Sequence, residues 1–163
     1  MRCVSACLLV MLVASPAAAQ ERKAPSPWDA WAFLVGTWES VGKPEEGQGR
    51  FSLEPALDGK VLIRKNVTEL PATKERPGGR HEDLMIVSPG PTAGAYAASY
   101  WDNEGHAIAY RAEVASDGRS ATFVTDAAAP GPRFRLTYLA GADGVLTIRF
   151  EIAPPGKPDA FKV

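Results

Sequence analysis

The sequence predicts an all-β protein, an up-and-down antiparallel β-barrel of about nine or ten strands with a short N-terminal helix. Three observations carry this. From residue 37 onward apolar residues recur with period two in short runs, the signature of strands with one buried face. The runs are separated by turn formers, among them Asp58-Gly59, Asp117-Gly118 and Asp143-Gly144. No long helical period follows Gly36, so consecutive hairpins are expected, and closing such a meander removes its exposed edges.

The first 19 residues read as a signal peptide. Arg2 supplies the positive start, residues 3–14 form an apolar run too short to span a bilayer, and Ala17-Ala18-Ala19 offers a cleavage site after Ala19. Both cysteines, Cys3 and Cys7, fall inside it, so the expected mature chain has no thiol nucleophile and no thiolate metal ligand. The apolar run follows Cys7 rather than preceding it, which argues against lipidation. Residues 20–26 read as a linker and residues 27–163 as the barrel domain.

Within that domain, residues 27–34 predict the helix, with Ser26 as N-cap, Pro27 at the first position and Trp28, Trp31 and Leu34 on one face. Gly36 is the hinge into the first strand, residues 37–41. Residues 47–57 place Phe51 and Leu53 on one face and Arg50, Ser52 and Glu54 on the other. Asp58-Gly59 predicts a type I′ turn into residues 60–70, which begin with the apolar Val61-Leu62-Ile63. Residues 71–80, with Pro77-Gly78-Gly79, read as a loop before a strand at 83–88. Residues 93–101 follow, rich in alanine and carrying Tyr96, Tyr100 and Trp101. Residues 106–115 align His106, Ile108, Tyr110, Ala112 and Val114 on one face. Strands are expected at 120–126, 133–139 and 145–152; the last points Leu146, Ile148, Phe150 and Ile152 inward. The run at 160–163 is short for a closing strand.

A chain of 163 residues that is 45% hydrophobic and 23% charged has the length and composition for one globular core. The formal net charge is −1 and the basic residues are scattered, which argues against a nucleic-acid partner. The sequence has no Gly-x-Ser-x-Gly elbow, phosphate loop or His-Glu-x-x-His motif, and no catalytic group is assigned. The acidic pair at residues 45–46 lies in a turn and reads as solvated.

The run Leu34-Val35-Gly36-Thr37-Trp38, following a short helix and leading into a meander, resembles the start of calycin-type barrels. Tyr100-Trp101-Asp102-Asn103-Glu104-Gly105-His106, Arg133-Phe134-Arg135-Leu136-Thr137-Tyr138 and Phe150-Glu151-Ile152-Ala153-Pro154-Pro155-Gly156-Lys157 resemble a lipocalin-like family of secreted bacterial proteins. The resemblance covers residue 28 to the end and implies a lipocalin-like barrel, with no activity carried over. It is distantly similar to the nitrobindin barrels, which bind haem through a late histidine; here Ser40 stands where a further glycine is expected and no histidine follows His106, so no cofactor is assigned.

The expected partner is a small apolar or amphipathic molecule in the lumen, with no nucleic acid and no membrane insertion after signal cleavage. The candidate lumen residues are Trp38, Arg64, Tyr96, Tyr100, Trp101, His106 and Tyr110. Each has a plainer reading. Trp38 plugs the barrel bottom, Arg64 points outward as a solvated charge, and His106 is a hydrogen-bonded core or rim residue. The aromatic residues simply fill a small barrel. No metal site is assigned: His81, Glu82 and Asp83 are adjacent on a strand, and neighbours on a strand point to opposite faces.

Overall fold

The computed structural model describes residues 26–43, 45, 47–74 and 77–163, so the expected signal peptide and the linker as far as residue 25 lie outside the described residues. Nine antiparallel strands form one sheet in the order of the chain: β1 Gly36–Glu39, β2 Gln48–Ala56, β3 Val61–Leu70, β4 Gly79–Pro89, β5 Ala95–Asp102, β6 Ala107–Val114, β7 Ser120–Val124, β8 Arg133–Ala140 and β9 Leu146–Ala153. The up-and-down meander is therefore as expected. The sheet curls into a half-barrel; among the described residues β9 is not hydrogen-bonded to β1. Residues 160–163 add one bridge, Ile152 to Lys162, rather than a tenth strand.

The expected helix is instead a single 3-10 turn, Asp29–Trp31, flanked by further turns. An α-helix of this length has too few internal bonds to offset its nucleation cost. In the 3-10 turn side chains three apart eclipse one another, and Trp28, Trp31 and Leu34 all bury on one side. They cap one end of the curl. Trp31 meets Tyr96 edge-on at 5.0 Å and Phe123 at 5.7 Å, while Trp28 stacks on Tyr96 at 5.7 Å. Trp28 Nε1 donates to the Gly59 carbonyl at 2.7 Å, and the Tyr96 hydroxyl donates to the Pro27 carbonyl at 2.7 Å. The plug is thus Trp28, Trp31 and Leu34 rather than Trp38. Trp38 is half-buried, stacks on Phe51 and donates through Nε1 to the Leu34 carbonyl at 3.0 Å.

The expected two-residue turn at Asp58-Gly59 is a four-residue connection, 57–60: Leu57, Asp58 and Gly59 all have positive φ, 52°, 53° and 75°, and the Lys60 N–H donates to the Ala56 carbonyl at 3.1 Å as well as to the Leu57 carbonyl at 3.0 Å. Gly36 has φ 131°, which a side chain would oppose, so the hinge between plug and β1 is held by glycine.

One boundary matters for the site. The expected loop over residues 71–80 is shorter, because the β3–β4 ladder runs on through Glu69–Arg80 to Leu70–Gly79. His81 therefore lies within β4 and not ahead of it.

Candidate functional site

The register carries one row of side chains across the concave face: Trp38 opposite Phe51, Phe51 opposite Asn66, Asn66 opposite Asp83 and Asp83 opposite Asp102. A parallel row joins Arg64, Met85, Tyr100 and Ile108. Residues two apart on a strand share a face, so His81 joins Asp83, Met85 and Val87 inside. Along β4 the inner face changes from polar to apolar. Along β5, which runs the other way, Tyr96 and Ala98 precede Tyr100 and Asp102, and the two gradients coincide.

The polar ends of these strands form the wall of a cavity of about 430 Å³, within the range of small-molecule sites. Arg64, Asn66, His81, Asp83, Tyr100, Asp102, Glu104 and His106 contribute polar groups, and Ile108, Phe134, Leu136, Phe150 and Ile152 supply an apolar wall. A second cavity of about 400 Å³ lies between β1 and β9, with Trp38 and Phe51 on one side and Leu146 and Ile148 on the other. Asn66 lines both, so the two hollows meet.

Arg64 points inward, not outward. It is buried, pairs through Nη1 with Asp83, and its guanidinium lies 5.0 Å from the centre of the Phe51 ring. Asp83 also accepts from Asn66 Nδ2 at 2.9 Å. Pairing and hydrogen bonding are what allow these charges to be buried. Among the described residues Arg64 Nε and the fully buried Tyr138 hydroxyl have no hydrogen-bond partner; each such group costs about 1–3 kcal/mol.

At the rim the Tyr100 hydroxyl donates to Asp102 at 3.1 Å and lies 3.3 Å from His81 Nε2. Burial, then the charges of Asp83 and Asp102, raise the Tyr100 phenol above its ordinary range, so it remains a donor. Burial, then Tyr138 and Asp83, raise Tyr110 likewise. Burial acts to raise the Asp102 carboxyl. Hydrogen bonds from the backbone and ring of His106, from Tyr100 and from the Glu104 N–H outweigh it and hold the carboxyl below the usual range. His81 Nδ1 stands 3.1 Å from Glu104, and His106 Nδ1 stands 2.8 Å from Asp102. The turn carrying Asp102, Glu104 and His106 is stapled to β4 by Asn103, whose Oδ1 accepts from Glu82 N–H at 3.0 Å and whose Nδ2 donates to the Arg80 carbonyl at 2.9 Å.

Of the seven residues expected in the lumen, Arg64, Tyr100, His106 and Tyr110 line this cavity together. Trp38 lines the neighbouring one. Tyr96 is spent on the plug. Trp101 lies on the convex face, 44% exposed, since both its neighbours, Tyr100 and Asp102, point inward. His106 sits in the turn just before β6 and lines the cavity beside Ile108 and Tyr110.

Sequence reasoning missed His81 and Asp83 because it weighed immediate neighbours. The spacing of two was the available signal, and it required knowing that β4 begins before His81. It also missed Asp102 and Glu104, which no local pattern ties to a histidine more than 20 residues earlier. Among the described residues no helix is long and apolar enough to cross a membrane. No protein-family model matches the chain, and no curated protein matches it.

Proposed function

We propose that the protein binds a small amphipathic molecule, its apolar body against Phe134, Leu136, Phe150 and Ile152 and its polar group toward Arg64, Tyr100 and His81. The single observation that carries this reading is the division of one cavity into a charged wall and an apolar wall. Binding sites of this kind are largely apolar with a few convergent polar groups. The polar wall is held rigid by its own bonds, which lowers the entropy cost of capture.

The reading extends to the frame. The resemblance to a secreted bacterial lipocalin-like family, the signal-like first 19 residues and the curled meander all favour a secreted or periplasmic binding barrel. Trp38 on β1 and Ile148 on β9 line one cavity from opposite sides, which supports a barrel with a slot between its edge strands. The rival is a filled barrel acting on an envelope partner through its outer surface.

Titration of the purified protein with a fluorescent fatty acid, followed by displacement with unlabelled fatty acids, retinoids and porphyrins, tests it. One saturable site per chain is expected, abolished by Leu136→Trp, which fills the cavity. No uptake of any of these probes, or uptake unchanged in that variant, overturns the cavity reading in favour of the filled one. A Soret band on porphyrin titration that disappears in His106→Ala would instead make haem the occupant.

A further inference from the structure

We propose that His81, Asp102 and Glu104, joined by His106, form a binding site for a divalent transition-metal cation, zinc foremost, at the rim of the cavity. One donor atom from each of His81, Asp102 and Glu104 lies within 4.8 Å of the other two. His81 Nδ1 is 3.1 Å from Glu104 Oε1, and His106 Nδ1 is 2.8 Å from Asp102 Oδ2 and 4.0 Å from Glu104 Oε2. Donors each about 2.0–2.2 Å from a zinc ion are roughly 3–3.5 Å apart, so the 2.8 and 3.1 Å pairs are already close to this spacing and the longer ones must close by side-chain rotation.

The hydrogen bonding around His81 supplies a second, independent reason. Its Nε2 faces Tyr100 at 3.3 Å and Asp83 at 3.4 Å, while its Nδ1 faces Glu104. A neutral imidazole has one N–H and one lone pair. With the proton on Nδ1, the Nε2 lone pair faces Asp83 unless the Tyr100 hydroxyl turns from Asp102 to donate to it; with it on Nε2, the Nδ1 lone pair opposes Glu104. A cation between Nδ1 and Glu104 removes the conflict, and Nε2–H then donates to Tyr100 and Asp83. A ligating histidine braced behind by a carboxylate is the usual support of a metal site.

The charge balance agrees. Asp83 is neutralised by Arg64, and Arg80 is taken by Glu69 and Glu82. Among the described residues the ion-pair partners of Asp102 and Glu104 are the two imidazoles alone; Asp102 also accepts from the Tyr100 hydroxyl and from the Glu104 and His106 N–H groups, but no lysine or arginine neutralises the two carboxylates. Two imidazole nitrogens and two carboxylates suit zinc and its first-row neighbours better than magnesium or calcium, which take oxygen ligands.

The site shares His81 with the amphipathic-ligand reading but does not rest on it, and it is read with the metal alone. Full-length protein without a polyhistidine tag is stripped with chelator and titrated calorimetrically with zinc chloride, then with magnesium chloride. One zinc per chain is expected, with no comparable magnesium uptake, and cobalt substitution should give the visible bands of a nitrogen–oxygen site. His81→Gln should abolish uptake. Glu104→Gln, at an exposed position, should weaken it at least as much as loss of an outer supporting group does, about 10–100-fold. Circular dichroism of both variants checks that the sheet is intact. Absence of stoichiometric zinc uptake, or uptake equal in wild type and in a folded His81→Gln, overturns the proposal and leaves His81 as a proton-bridged side chain.

Discussion

The two ends of the curl are built from the same strands and have opposite chemistry. At one end Trp28, Trp31, Leu34, Tyr96 and Phe123 pack ring against ring. At the other, Arg64, Asn66, Asp83, Tyr100 and Asp102 satisfy one another beside a cavity. β4 and β5 contribute to both, so the contrast is written along each strand. One end gains stability from burial of apolar area, which needs no geometry beyond close packing. The other end depends on pairing, and loses heavily if one partner is removed. A binding site is found where the second kind of chemistry meets unfilled space.

Breaking the plug should have the largest effect. Trp31 is fully buried, and Trp31→Ala should cost about 3–5 kcal/mol in urea unfolding. A loss under about 1 kcal/mol would mean that the plug is not seated on the sheet in solution.

The open end should respond differently to single and paired changes. Arg64→Met leaves Asp83 buried without its cation and should cost about 3–5 kcal/mol, whereas Arg64→Met with Asp83→Leu should recover most of that loss. Additive costs in the double variant would show that the two side chains do not interact.

The convex face gives the smallest effect and a reference for both ends. There Arg135 donates two hydrogen bonds to Glu151, both 2.8 Å, and covers the Phe161 ring. These bonds lower the Glu151 carboxyl below its ordinary range. A depressed folded value adds stability above the unfolded glutamate value, and the gain is lost as pH falls through the folded value. Urea midpoints measured across the acid range should therefore decline less steeply for Glu151→Gln than for the parent. Identical acid profiles would remove the pair from the account of stability.

The strand count and meander were legible because period two and Asp-Gly turns are local signals. The site was less so. Arg64 and Tyr110 stood out as polar or aromatic residues in apolar surroundings, but the convergence of His81 with Glu104 depends on the pairing of β4 and β5 and on a turn that ends beside β4. Trp101 was misplaced because an aromatic residue suggests burial whichever face it occupies; the alternation through Tyr100 and Asp102 decides it. The shared face of Trp28, Trp31 and Leu34 was legible, because a spacing of three serves a helix and a 3-10 turn alike; what was not legible was that this segment, and not Trp38, closes the end of the curl.

The identity of ladder order and chain order has a consequence for assembly. Every hairpin closes over a short span, so each step carries a small entropic cost. A chain emerging amino end first meets a ready template for each new strand as it appears. The indole of Trp31 lies against Phe123, on β7, so its niche is completed only after most of the sheet has been laid down. Until then the half-built curl has a greasy, unsealed end, and that interval is when a folding helper would have most to offer.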